Sequence, residues 1–158
     1  MKKIIPVVAL LLSGFIFKPA TAQVRFSINI RVQPVWGPVG YDHVEYYYMP
    51  DIDVFYYVPK RQYIYQDRGR WLFTASLPAR FRGYDIYNGY KVVINDDPRP
   101  YRNAGTYRTK YAPYKGRRDQ PIIRNSTDPK YYEIKDHPRH NQWNKNRNQG
   151  KGNNRKHN

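Results

Sequence analysis

The 158-residue chain contains no cysteine, only 4 histidines, and only 12 acidic residues against 28 lysines and arginines. The lack of cysteine excludes disulfide bonds, thiol catalysis and the cysteine-ligated zinc and iron–sulfur sites. Stability must therefore come from backbone pairing and from the burial of apolar and aromatic side chains. The shortage of acidic residues leaves a formal net charge of +16, which favours anionic partners.

Long hydrophobic runs are also scarce, and the longest one lies at the N-terminus. Ile4 to Ile16 follows the dipeptide Lys2-Lys3 and precedes the small-residue motif Ala20-Thr21-Ala22. This apolar run is shorter than the roughly 20 residues that span a bilayer. The pattern is typical of a secretory signal peptide over residues 1–22, cleaved after Ala22. We therefore expect export to the periplasm or the extracellular space, with no transmembrane segment in the mature chain.

Positive charge is concentrated in the C-terminal part of the chain. Residues 23–97 hold 9 Lys/Arg and 8 Asp/Glu, whereas residues 98–158 hold 16 and 4. Blocks of like charge resist compaction. We predict a Tyr-rich β module over 23–97, a partly ordered, basic, Tyr-containing extension over 98–136, and a disordered, basic, Asn-rich tail over 137–158.

Several short segments of the module are predicted to be strands. Val24 to Val32 alternates apolar and polar residues, as a strand with one buried face does. The remaining β-prone runs are Val44 to Tyr48 and Val54 to Val58, which end near Pro50 and Pro59, and Tyr63–Tyr65 and Trp71–Phe73, which flank a short Gly-containing turn. This spacing predicts a mainly β fold, either a small antiparallel meander or a partly open barrel.

Two further local patterns complete the module. Asn88-Gly89 lies between Asp85-Ile86 and Lys91–Ile94, which predicts a type I′ hairpin. Leu77 to Tyr87 is the one segment of the module that could instead form a turn of helix, because Pro78 suits a first helical turn.

The run Tyr46–Val54, Gly69-Arg70-Trp71, Leu77-Pro78 and Tyr84–Tyr87 resemble segments of small uncharacterised Tyr-rich secreted proteins of Gram-negative bacteria. The likeness covers about Trp36 to Ile94. It implies an exported β module and supplies no catalytic residues.

Candidates for catalysis or metal binding are few. Asp42-His43 are sequence neighbours, and neighbours on a strand point to opposite faces. The carboxylate pairs Asp51/Asp53 and Asp96/Asp97 fit turn capping better than a cation site. His137 and His140, near Glu133 and Asp136, are weak candidates for zinc or copper, with a solvated basic tail as the favoured interpretation. We expect no enzyme activity, no cofactor and no structural metal.

Basic and aromatic residues alternate from Tyr101-Arg102 onwards, as in segments that bind polyanions. The predicted polyanion-binding residues are Tyr107, Arg108, Lys110, Tyr111, Tyr114, Lys115, Arg117 and Arg118. The competing interpretation is that these tyrosines pack along the sheet while the charges are merely solvated. For an exported chain the expected partners are lipopolysaccharide, acidic polysaccharide or an envelope protein, and extracellular nucleic acid also fits.

The preferred functional hypothesis is a non-enzymatic envelope protein that binds anionic material through this basic segment. The alternative is a structural or assembly module that docks a protein partner through its aromatic sheet, with rings on both faces of Val54 to Val58.

Overall fold

The computed structural model describes residues 28–153, so the signal-peptide prediction lies outside the described residues. The strands are β1 (Tyr46–Met49), β2 (Val54–Tyr57), β3 (Gln62–Asp67), β4 (Arg70–Thr74) and β5 (Val92–Ile94), and the α-helices are α1 (Ala104–Lys110) and α2 (His140–Asn153). Short 3-10 helices occupy Ile30–Val32, Ala79–Phe81, Pro100–Asn103, Ala112–Tyr114, Ile123–Asn125 and Pro129–Glu133.

The five strands form one open antiparallel sheet in the order β4-β3-β2-β1-β5. This confirms the mainly β prediction, and β1 to β4 form the predicted meander. Pro50 and Pro59 fall in the turns after β1 and β2, where a residue without an N–H costs no ladder bond. Arg68 and Gly69, both at positive φ, make the two-residue turn between β3 and β4.

The strand prediction over Val24 to Val32 is wrong where it can be checked, because Ile30–Val32 is a 3-10 helix. Residues 24–27 lie outside the described residues. The cause is the Asn29 side chain, whose Oδ1 accepts from the Val44 N–H at 2.9 Å and whose Nδ2 donates to the Val44 carbonyl at 2.7 Å. These two bonds fix a turn here, and tertiary context overrides the alternating pattern.

The type I′ hairpin at Asn88-Gly89 is also wrong. Asp85 Oδ1 accepts from the backbone N–H groups of Tyr87 and Asn88, at 3.0 and 3.3 Å, which makes a side-chain-capped turn instead. Gly89 is needed for close approach, since a Cβ there would lie 1.9 Å from the Tyr84 hydroxyl. The predicted helical turn within Leu77 to Tyr87 is present as the 3-10 helix Ala79–Phe81.

The sheet is covered on both faces, and each face has its own core. The face that packs against Trp36 is here called the Trp36 face, and its buried cluster comprises Trp36, Val44, Tyr47, Met49, Val54, Tyr56, Val58 and Tyr65. The opposite face, the Tyr107 face, buries Tyr46, Tyr48, Phe55, Ile64, Val92, Ile94 and Ala104, with Tyr101, Tyr107 and Tyr111 packed on them. Successive residues of a strand point to opposite faces, so runs such as Tyr46-Tyr47-Tyr48 supply both cores.

The C-terminal part adds a third cluster, formed by Val35, Ile123, Tyr131 and Ile134. It is tied to the N-terminal segment because the Ile123 N–H donates to the Gly37 carbonyl and the Arg124 N–H to the Val35 carbonyl, both at 2.8 Å. The predicted disordered tail is not confirmed, because α2 occupies His140–Asn153. Its first turn is anchored by His140, whose Nδ1 lies 2.8 Å from the Tyr132 carbonyl.

Candidate functional site

The predicted basic segment crosses the Tyr107 face, with its tyrosines turned towards the sheet. On α1 and just after it, Ala104, Tyr107 and Tyr111 recur at helical spacing and share one side. The Tyr107 ring packs edge-on against Phe55, with ring centroids 5.7 Å apart, and the Tyr111 ring lies 6.3 Å from that of Tyr48. The Tyr107 hydroxyl donates to Asp97 Oδ2 at 3.1 Å. These tyrosines are therefore part of the core of this face.

Arg108 is clamped to the turn between β1 and β2. Its Nε and Nη2 lie 3.1 and 2.5 Å from Asp53 Oδ2, and the Tyr48 hydroxyl donates to Asp53 Oδ1 at 3.0 Å. The hydrogen bond and charge of Asp53 raise the pKa of Arg108. Burial and the neighbouring carboxylate raise the pKa of Tyr48 as well. Arg108 is consequently engaged in an ion pair within the chain, although its side chain stays partly exposed.

Arg117 and Arg118 are also paired with carboxylates. Arg118 Nη1 lies 2.9 Å from Asp51 Oδ2, while Asp51 Oδ1 accepts from the Gly116 N–H at 2.7 Å. Arg117 makes two bonds to Asp119, at 3.0 and 2.6 Å, and its hydrogen bond lowers the pKa of that carboxyl. Asp51 and Asp53 lie in a turn, as predicted, and their further role as anchors for the basic segment was missed.

Lys110 and Lys115 are exposed and have no carboxylate partner among residues 28–148, whose side chains the structure describes. Lys110 Nζ lies 5.2 Å from the Tyr111 ring centroid. Tyr114 packs on Tyr90, with ring centroids 4.8 Å apart. The predicted set is thus split into inward tyrosines, paired arginines and two unpaired lysines.

Arg99 and Arg102 belong with those two lysines, although neither is in the predicted set. Both are exposed, flank Tyr101 in sequence and have no ion-pair partner in the described part of the chain. The alternation of Tyr101 with Arg102 was the available signal. These four cations, Arg99, Arg102, Lys110 and Lys115, are here called the outer cations.

A small cavity of about 290 Å³ lies beside α1. Its wall includes Asp96, Asp97, Asn103, Thr106 and Lys110. Asp97 is held in place, because its Oδ1 accepts from the Arg99 N–H at 2.9 Å. The carboxylates reduce the positive potential at this spot, so the cavity is a poor pocket for a small anion.

The catalytic and metal candidates do not assemble. Asp42 pairs with Lys130 at 2.9 Å, and His43 Nε2 lies 3.2 Å from Glu45, so Asp42 and His43 do not form a pair. His137 is buried, with Nδ1 accepting from the Arg139 N–H at 3.1 Å, and burial lowers its pKa. Within the described residues, no three of the His, Asp and Glu side chains are placed to hold a metal ion.

Lys91 is the one lysine of the described core. Its side chain is 1% exposed, and Nζ donates to the Tyr87 carbonyl at 3.2 Å while lying 5.9 Å from the Trp36 ring centroid. Burial lowers the pKa of Lys91 to about 8. No sequence pattern distinguished this lysine from the exposed ones.

No protein-family model, curated protein or solved structure matches the chain significantly. The resemblance to small secreted Tyr-rich proteins therefore stays a prediction. None of the helices in residues 28–153 has the length and apolar character that a bilayer crossing requires.

Proposed function

We propose that this chain is an exported, non-enzymatic protein that binds anionic polymers of the cell envelope, such as lipopolysaccharide or acidic polysaccharide, through its outer cations. The observation that carries this proposal is the two-sided character of the segment from Pro98 to Arg118. Its tyrosines are committed to the Tyr107 face, whereas Arg102, Lys110 and Lys115 face solvent without carboxylate partners in the described region.

The arrangement suits a polymer better than a small anion. Arg102 precedes α1 and Lys110 ends it, and the seven residues of that helix span about 10 Å. Charges spread along such a surface match the repeated charges of a polyanion. Docking of a protein across a sheet face has less support, because both faces are already covered by the chain itself.

The test is co-sedimentation of the chain from residue 23 with purified lipopolysaccharide at low and high salt. The variant Arg102→Gln/Lys110→Gln/Lys115→Gln removes three outer cations. The matched control Lys60→Gln/Arg82→Gln/Lys135→Gln removes three exposed cations elsewhere, so that both variants have the same net charge.

We expect the first variant to lose most of its binding and the control to lose little, and binding of the unmodified chain to weaken steeply with salt. Equal losses in the two variants would show that only total charge matters. Binding that resists salt would place the contact on apolar surface instead.

A further inference from the structure

The two edge strands of the sheet differ in burial. β5 has two buried residues and one half-buried residue, and just before it the Gln120 side chain bonds to the backbone of Lys91, because its Oε1 accepts from the Lys91 N–H and its Nε2 donates to the Lys91 carbonyl, both at 2.9 Å. At the opposite edge, no described residue makes a backbone hydrogen bond to the outer side of β4. An unprotected edge of this kind is a template for pairing with another strand.

The turn that precedes β4 determines which backbone groups are free. Across the two-residue turn Arg68-Gly69, Asp67 and Arg70 form a hydrogen-bonded pair, and such pairs alternate along an antiparallel ladder. Leu72 and Thr74 therefore bond to β3 as well. The N–H and C=O groups of Trp71 and Phe73 therefore point away from β3, outwards from the edge of the sheet.

We infer that β4 pairs with β4 of a second copy of this chain, antiparallel and centred on Leu72, to form a two-fold symmetric dimer with a continuous ten-stranded sheet. In this register Trp71 lies opposite Phe73 of the second copy, and both exchange hydrogen bonds. Leu72 lies opposite its own copy in a non-hydrogen-bonded pair, where side chains approach most closely.

The side chains of β4 fit this symmetry. Trp71 and Phe73 lie on the Tyr107 face, and Phe73 is 48% exposed. Tyr101 contacts both rings, with centroid distances of 5.6 and 5.4 Å. The two-fold brings Trp71 against Phe73 of the second copy, which extends this aromatic cluster across the interface and covers the exposed ring.

The charges on β4 also allow it to pair with β4 of a second copy. Arg70 is the only charged residue of β4. In the two-fold register it lies opposite Thr74 of the second copy, so two arginines never face each other. The strand contains no proline and no charge directed into the sheet, which are the usual devices that block edge pairing.

Cysteine cross-linking tests the register directly, since the native chain has no cysteine. Cα atoms of a non-hydrogen-bonded pair are about 4.5 Å apart, within the range of a disulfide. Leu72→Cys is therefore expected to cross-link to itself on mild oxidation. Arg70→Cys and Thr74→Cys are each expected to remain without a cross-link when alone, because two copies of either residue are about 13 Å apart in the dimer.

An equimolar mixture of Arg70→Cys and Thr74→Cys is expected to cross-link, with about half of the dimers mixed when subunits exchange freely. Both sites are at the surface or half-buried, so this arm stands even if Leu72→Cys perturbs folding. Cross-linking of Arg70→Cys with itself, or no cross-linking in the mixture, would overturn the inference.

Sedimentation velocity gives an independent measurement. Phe73→Lys is expected to abolish the concentration-dependent dimer, because it places a charge at the aromatic contact. Tyr41→Lys, which replaces another exposed aromatic residue away from β4, is expected to leave it intact. Dimerisation that survives Phe73→Lys would contradict the proposed interface, and neither result bears on polyanion binding by the outer cations.

Discussion

The two faces of the sheet are both built on tyrosine, yet their covers differ in character. The Trp36 face is covered by residues 30–44 and 77–87, which carry little net charge, and it buries Lys91. The Tyr107 face is covered by residues 98–118, which contain seven lysines and arginines and no acidic residue. This segment is the cover of the Tyr107 face. The difference shows that one segment can supply core side chains and a cationic surface together. Its tyrosines pack on the sheet, while cations such as Arg102 and Lys110 stay exposed to solvent.

The largest effect is expected from removing everything after residue 97, which takes away both the segment that covers the Tyr107 face and the C-terminal residues of the third cluster. A chain ending at residue 97 exposes Tyr48, Phe55 and Ile94, which are buried in the full structure. We expect it to lose cooperative urea unfolding, measured by near-UV circular dichroism, whereas a chain ending at residue 148 keeps it. Cooperative unfolding of the shorter piece would mean that the face is stable without its cover.

The next effect concerns the contact between sheet and cover. Phe55→Ala removes a ring buried beneath Tyr107 and is expected to lower the free energy of unfolding by about 3–5 kcal/mol. Phe73→Ala makes the same chemical change on the same face at a half-exposed position, and we expect a much smaller loss. Urea denaturation of both variants at low protein concentration measures the difference, and equal losses would contradict the burial of Phe55.

Lys91, which is buried at the Trp36 face, makes the stability of the protein depend on pH. Its pKa is about 8 in the folded protein and 10.5 in the unfolded chain, so the unfolded chain binds an extra proton between these values. Lys91 should therefore raise stability by about 1 kcal/mol between pH 8 and pH 9. Above pH 9 the opposite effect sets in, because burial raises the pKa of tyrosines such as Tyr46 and Tyr63 in the folded protein, so that the tyrosines of the unfolded chain ionise first.

Lys91→Met, which has no titrating group, is expected to remove that rise. Lys60→Met, at an exposed site, serves as the control and should keep it. A pH profile of Lys91→Met with the same slope as the unmodified chain would show that other groups cause the effect.

The smallest effect is expected at the clamp between Arg108 and Asp53. The pair is partly exposed, and such ion pairs contribute about 0.2–1 kcal/mol. A double-mutant cycle with Arg108→Gln and Asp53→Asn should give a coupling energy in that range, falling as salt is added. A coupling energy near zero would reduce the pair to a solvated contact that does not hold the cover.

Local sequence patterns predicted those elements whose hydrogen bonds are local. The β3–β4 hairpin follows from Gly69 and the flanking aromatic residues, and the turns at Pro50 and Pro59 follow from the missing N–H. The predictions for Ile30–Val32 and for Asn88-Gly89 were wrong because side chains form hydrogen bonds with the backbone nearby. Asn29 Oδ1 accepts from the Val44 N–H, and Asp85 Oδ1 accepts from the Asn88 N–H. Neither the alternating pattern nor turn propensity indicates such bonds.

The candidate site was predicted only in part for a related reason. Sequence composition located the basic segment and its tyrosines. It did not show that Asp51 and Asp53, more than fifty residues earlier, would pair with Arg118 and Arg108. Which cations stay unpaired is a property of tertiary contacts, so Arg102 was left out and Arg108 included.

The most direct measurement of the central claim is lysine footprinting of the unmodified chain by acetylation, with and without purified lipopolysaccharide. Lys60 and Lys135 are exposed lysines outside the outer cations and serve as internal references. We predict that lipopolysaccharide protects Lys110 and Lys115 and leaves Lys60 and Lys135 reactive. Equal protection at all four sites, or none at Lys110 and Lys115, would contradict the claim that the cover of the Tyr107 face is the polyanion-binding surface.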